Sequence, residues 1–171
     1  MFNFRFYSLD FRHLPLIHHW YNLDHVQKFY AKRVLELSDL KKKYASYISG
    51  KKAIFGFVCY LNGKPLGYIQ YYTLSRHPFE GVDLDHILAD SCGIDVFIGD
   101  ETMIGKGMGK KMIDTFLKRY VFKKYSYCFV DPLCENLSAI HCYKSLGFKE
   151  YAHLLSDDDD THLLLIKEKA I

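Results

Sequence analysis

An α/β fold with a mixed sheet is what this sequence predicts, and three observations carry the prediction. Segments rich in β-branched and aromatic residues alternate with segments of helical apolar spacing. Asn62-Gly63 separates two of the β-rich segments, and the favoured two-residue hairpin turn needs left-handed backbone at both central positions. A helix-patterned stretch lies between strand candidates Cys92–Ile98 and Ser126–Val130, and a crossover helix makes such neighbours parallel. Hairpins and a crossover together give a mostly antiparallel sheet with a central parallel pair.

Each element follows in order along the chain. Phe2 to Ser8 alternates apolar and polar residues, as a half-buried strand does. Phe11 to Phe29 carries apolar residues at helical spacing, with Asp10 placed to cap it. Ser38 is placed to cap a helix over Asp39–Ile48 that Gly50 ends. Ala53–Leu61 and Leu66–Thr73 form the hairpin, and His77–Asp90 reads as a long loop with a short helical turn. Cys92–Ile98 is the next strand. From Gly107 to Phe122, Met108, Met112, Ile113, Phe116, Leu117 and Tyr120 share one side of a helix. Ser126–Val130 is a strand that stops at Asp131-Pro132, and Asn136–Leu146 is a short helix ended by Gly147. Phe148–Leu155 and His162–Ile166 close the chain as a hairpin around the acidic turn Asp157–Asp160.

A chain of 171 residues is read as one domain, residues 1–171, large enough to bury a core without staples. The net charge of +3 gives no reason to invoke nucleic acid, whose binders concentrate basic residues on one face. Cys59, Cys92, Cys128, Cys134 and Cys142 are odd in number and lack C-x-x-C spacing, which fits reduced thiols in a cytoplasmic protein. The N-terminus lacks the apolar stretch of a signal peptide, and the longest apolar run, Ala53–Leu61, is too short to cross a bilayer. No membrane partner is expected. The nine histidines show no metal-ligand spacing, so no metal is expected.

Ile104-Gly105-Lys106-Gly107-Met108-Gly109-Lys110 follows a strand and opens a helix. Glycines let backbone approach an anion closely, and free N–H groups at a helix N-terminus then point at it. Lys106 and Lys110 add positive charge. The spacing is neither that of a Walker A loop nor that of a dinucleotide fingerprint. A flexible surface turn is the other reading of this segment taken alone.

The following helix, Asn136-Leu137-Ser138-Ala139-Ile140-His141-Cys142-Tyr143-Lys144-Ser145-Leu146-Gly147-Phe148, changes that balance. Together the two segments resemble motifs A and B of the GNAT acetyltransferase superfamily. In that family the first loop binds the pyrophosphate of coenzyme A through backbone N–H groups. The first position of motif A, often Gln or Arg, is Ile104 here. Gly93-Ile94-Asp95, Val130-Asp131-Pro132 and the Trp20/His25/Phe29-Tyr30 region extend the likeness to aminoglycoside 6′-N-acetyltransferases, from about Phe11 to Lys167. Siderophore-type hydroxylysine acetyltransferases are similar but typically carry His where this chain has Asp95.

The resemblance implies a sheet whose central parallel pair splays to admit acetyl-CoA, with Gly105, Lys106, Gly107, Met108, Gly109 and Lys110 on its pyrophosphate. It implies that the Val96, Phe97 and Ile98 backbone and Asn136 hold the pantetheine arm. Asp95 becomes the general base or amine-orienting carboxylate, and Tyr143 the acid that protonates the departing thiolate. Asp131 matches a substrate-holding Asp. Each has a structural alternative: Asp95 in a salt bridge, Tyr143 as a packed aromatic, Asn136 as a helix cap, Asp131 as a strand terminator.

Between His77 and Gly105 there is no Lys or Arg, whereas Glu80, Asp83, Asp85, Asp90, Asp95, Asp100 and Glu101 all lie there. Such a segment attracts a cationic acceptor, or it is a solvated loop. The expected activity is direct acetyl transfer in a ternary complex to a primary amine of an aminoglycoside-like molecule. The alternatives are a hydroxylysine siderophore precursor, a polyamine, or a non-catalytic CoA-binding sensor. Family members occur as monomers and homodimers.

Overall fold

The computed structural model describes residues 2–30, 33–155 and 160–170. Seven strands form one sheet: β1 (Phe4–Ser8), β2 (Ile54–Leu61), β3 (Lys64–Thr73), β4 (Ser91–Ile98), β5 (Tyr127–Val130), β6 (Lys149–Leu155) and β7 (Thr161–Glu168), in the order β1-β2-β3-β4-β5-β7-β6. Its helices are α1 (Leu14–Tyr21), α2 (Asp24–Gln27), α3 (Leu37–Ile48), α4 (Met108–Arg119) and α5 (Leu137–Ser145). β4 and β5 pair in parallel through Ser91, Cys92 and Gly93 against Tyr127, Cys128 and Phe129, while β1–β2, β5–β7 and β6–β7 are antiparallel. The predicted fold class, a mixed sheet with a central parallel pair and flanking helices, is the one observed.

Two compact units emerge from the packing. The first comprises Met1–Tyr71 and Asp95–Met112. Its core gathers Leu14, Ile17, Trp20 and Tyr21 of α1, Leu40 and Tyr44 of α3, Val58 of β2, Tyr68 of β3 and Phe97 of β4. Phe97 is the hub, with the rings of Trp20, Tyr21, Tyr30 and Tyr68 at 6.1, 5.3, 5.1 and 5.6 Å. The second comprises Tyr72–Ile94 and Ile113–Ile171, and its core gathers Leu74, Leu84, Phe129 and Leu164.

Local chemistry explains most element ends. Asn62 and Gly63 have φ of 51° and 84°, the left-handed pair the hairpin turn demands. The helix expected over Phe11–Phe29 is broken instead into a 3-10 turn at Phe11–His13, then α1 and α2. The break falls at Asn22, whose amide donates to the carbonyls of His18 (3.1 Å) and Leu35 (3.0 Å) and accepts from the Leu35 N–H (3.0 Å). An Asn side chain competing for backbone partners ends a helix in this way. Asp10 caps the first turn as expected, accepting the Arg12 N–H at 2.8 Å.

α3 starts two residues earlier than the expected Asp39, because Glu36 rather than Ser38 occupies the cap. Asp39 accepts the Glu36 N–H at 3.3 Å, so an acidic pair does the work expected of a hydroxyl. Gly50, at φ 72°, follows the helix as predicted. α4 buries Met108, Met112, Ile113, Phe116 and Leu117, the side foreseen, but stops at Arg119 and yields to a 3-10 turn at Val121–Lys123. α5 runs from its Asn136 cap to Gly147 at φ 89°. The closing hairpin is present, and the Asp157–Asp159 part of its predicted acidic turn lies outside the described residues.

Candidate active site

In the first unit, Asp95 sits on β4, partly buried, and its Oδ2 accepts a 2.6 Å hydrogen bond from Nε2 of Gln70 on β3. Burial pushes the Asp95 carboxyl above its ordinary range, and the Gln70 hydrogen bond and the Lys43 charge oppose that push without cancelling it. A carboxylate raised toward neutrality is a better proton acceptor than an ordinary aspartate. The salt-bridge alternative finds no support among the described residues: the direct partner of Asp95 is an amide. Gln70, only 8% exposed, was not foreseen as part of the site. Its signal was present, because a polar residue inside the apolar run Leu66–Tyr71 demands a buried partner.

Downstream of Asp95, Val96 and Ile98 are partly buried and Phe97 is buried. The Ile98 carbonyl accepts from His25 Nε2 at 2.8 Å. That bond leaves His25 Nδ1 with no hydrogen-bond partner among the described residues, 3.6 Å from Glu101 Oε1. His25, noted above for its likeness to related chains, thus fastens the end of β4.

The glycine loop belongs to the same unit. Gly105 and Gly107 have φ of 73° and 72°, and a Cβ at either position would meet nothing within 4 Å. Glycine is therefore required by backbone conformation and not by crowding. Residues Ile104 to Gly107 and Lys110 are exposed, and the twelve-residue helix α4 begins at Met108. An open left-handed turn before the unsatisfied N–H groups of a helix start is a cradle that an anionic diphosphate fits.

In the second unit, Asn136 caps α5, its Oδ1 accepting the Ala139 N–H at 3.2 Å. The cap uses the side-chain oxygen, so the capping and ligand-binding roles are compatible. Tyr143 is 7% exposed and packs edge-on against Phe148, with ring centroids 5.6 Å apart. Asp131 follows β5, and its carbonyl accepts from His162 Nδ1 at 2.7 Å. That bond ties down the strand end, as the structural alternative requires.

The acidic segment is partly spent on local structure. Asp90 accepts the Ser126 N–H at 3.0 Å and Asp83 the Asp85 N–H at 3.1 Å in the second unit. Asp100 caps the turn at Glu101–Met103 in the first. Among the described residues no cysteine is in a disulfide, and Cys59, Cys92 and Cys128 are buried. Among the described residues no helix is long and apolar enough to cross a membrane, and no group of three or more His, Cys, Asp or Glu is placed to hold a metal ion.

Known proteins complete the assignment. The chain is 24% identical over 148 residues to aminoglycoside N(6′)-acetyltransferase type 1 of Klebsiella pneumoniae, covering 85% of this chain and 73% of the relative. It superposes on the crystal structure of aminoglycoside acetyltransferase AAC(6′)-Ib in complex with coenzyme A with a TM-score of 0.86 at 21% identity, covering 98% and 95% of the two chains. The complex of that enzyme with coenzyme A and kanamycin gives 0.85 at 22% identity, covering 98% and 95%. Residues 10–154 match the family model of the acetyltransferase (GNAT) domain. The chain belongs to the GNAT acetyltransferase family and is an N-acetyltransferase.

Proposed function

We propose that this enzyme transfers acetyl from acetyl-CoA to a primary amine of an aminoglycoside-like, cationic small molecule, directly and within a ternary complex. The observation that carries the reading is Asp95, a partly buried carboxylate on a central strand with a fixed donor, Gln70, on one oxygen. The names of the relatives support the acceptor class, and the open left-handed loop at Gly105 and Gly107 supports the donor.

Acetyl-CoA supplies a thioester carbonyl carbon. The residues of this chain supply the proton chemistry and the positioning. Asp95 takes a proton from the acceptor ammonium, freeing the nitrogen lone pair for attack on that carbon. As the carbon–sulfur bond breaks, the Tyr143 hydroxyl gives its proton to the departing sulfur, and the second proton shed by the new amide nitrogen restores the hydroxyl. The Val96–Ile98 backbone and Asn136 hold the pantetheine amides. Backbone N–H groups of Gly105–Lys110, with Lys106 and Lys110, receive the pyrophosphate. Asp131 holds a second polar group of the acceptor.

A coupled assay of free-thiol release, run over kanamycin-type, hydroxylysine and polyamine acceptors, tests the reading. Turnover is expected with the kanamycin-type amines, and Asp95→Asn should lower it by about 10²–10⁴-fold. Turnover confined to the other amines would reassign the acceptor. Thermal stabilisation by acetyl-CoA without thiol release from any amine would point to a sensor, and full activity of Asp95→Asn would remove the base.

A further inference from the structure

Behind Asp95 the first unit contains a line of polar groups that the reaction scheme does not use. Tyr68 donates its hydroxyl to Gln70 Oε1 at 2.7 Å, and Gln70 in turn donates to Asp95 at 2.6 Å. The Tyr44 ring packs against the Tyr68 ring, with centroids 5.7 Å apart. Tyr21 and Tyr44 share a 2.9 Å bond, and Lys43 Nζ donates to the Tyr21 hydroxyl at 3.2 Å. Lys43 is an exposed residue whose ammonium lies 5.2 and 5.4 Å from the Tyr21 and Tyr44 ring centroids. Tyr21, Tyr44 and Tyr68 are each 2% exposed or less.

Proton counting fixes the direction of the two bonds that end on Asp95. An ionised carboxylate can only accept, so Gln70 gives it an amide proton and receives the Tyr68 proton at its oxygen. Both donors therefore point toward Asp95. Aligned hydrogen bonds polarise one another, and a low-dielectric surround strengthens the effect. The line is not a proton wire, because the Gln70 amide receives at its oxygen and donates from its nitrogen. It aims a dipole at Asp95 and holds the carboxylate in one orientation.

A glycine is given over to this line. A Cβ at Gly56 on β2 would stand 2.4 Å from the Tyr68 hydroxyl, so no larger residue leaves that hydroxyl in place.

We propose that Tyr68 and Gln70 are positioning residues that orient Asp95 and, with the charge of Lys43, keep it ionised for catalysis, a role that rests on the base function proposed above. The groups that act on the Asp95 carboxyl are Gln70 of β3, which bonds it, Lys43 of α3, which attracts it, and Tyr47 of α3 and Tyr68 of β3, whose own ionisation it opposes.

The test titrates Asp95 directly, by the carbon resonance of its carboxyl in isotopically labelled protein, and needs no turnover. Gln70→Leu should move the midpoint to higher pH, and Lys43→Met should move it the same way by less, because an exposed charge is screened. Where turnover is measurable, Gln70→Leu should lower kcat/KM about tenfold at neutral pH and shift its acid limb upward. Tyr68→Phe should lower it about threefold alone and add nothing to Gln70→Leu, since it acts through that amide. A midpoint unmoved in folded Gln70→Leu and Lys43→Met overturns the proposal, as does full additivity of the Tyr68 and Gln70 changes. A shifted midpoint in a protein that acetylates no amine upholds the line and discards the base role.

Discussion

The core around Phe97 and the core around Phe129 meet the same demand for burial with different materials. The first packs Trp20, Tyr21, Tyr44 and Tyr68 among Leu and Ile side chains, and so brings hydroxyls into the interior. Buried hydroxyls need partners, and here Tyr21 pairs with Tyr44 while Tyr68 bonds Gln70, which in turn bonds Asp95. The second is built on Leu74, Leu84, Phe129 and Leu164, none of which carries a polar side-chain atom. Its aromatic contacts are purely a matter of shape, with Phe79 and Tyr151 at 6.0 and 5.6 Å from Phe129. The difference teaches where stability and catalytic support are stored. One core is held by volume alone, and the other also by the satisfaction of its buried hydroxyls.

The largest effect is expected where volume alone counts. Phe129 is fully buried, so Phe129→Ala leaves a cavity and should cost about 3–5 kcal/mol, seen in chemical denaturation as a fall in midpoint. The kinetic constants of the remaining folded enzyme should change little. A cost below about 1 kcal/mol would mean that this core refills easily, and the contrast would fail.

A smaller effect should follow from removing one oxygen in the other core. Tyr44→Phe keeps the ring but takes from the buried Tyr21 hydroxyl its Tyr44 partner. It should cost about 1–3 kcal/mol. Tyr151→Phe is the matched control, because the Tyr151 hydroxyl is at the surface and reaches the Asp83 carbonyl only at 3.4 Å. That change should stay within about 0.5 kcal/mol. Equal costs for the two substitutions would show that the buried pair is worth no more than a surface contact.

How much of this was legible in the sequence depended on the range of the interaction. The Asn62-Gly63 turn, the buried side of α4 and the Gly147 stop are local, and periodicity or a required φ revealed them. The breaks that were missed have tertiary causes. Asn22 ends α1 because Leu35 lies beside it, and no pattern within Phe11–Phe29 announces that partner. Asp95 was found through a motif, and its raised proton affinity follows from burial. Tyr68 behind it was hidden because it sits at an ordinary core position of β3. Lys43 was less visible still, one of three consecutive lysines.

Asp95 itself gives a small expected change in stability, and its sign is the informative part. Burial raises its carboxyl above the ordinary value of 3.8, so between that value and the raised one the folded state holds a proton that the unfolded state has lost. The associated stability is fully present below pH 3.8 and is lost as pH rises through the folded value. At neutral pH the ionised carboxylate is therefore a net cost, even with Gln70 bonded to it. Asparagine keeps an oxygen for Gln70 and carries no charge to desolvate. Asp95→Asn should thus raise Tm by about 2–4 °C at neutral pH, and the gain should vanish as the pH falls below the ordinary carboxylate value. Thermal melts of both proteins across that range check it. A variant less stable than the parent at neutral pH would mean that the Gln70 bond and the Lys43 charge more than offset the cost of burial, and that the first core is stabilised, not taxed, by the Asp95 charge.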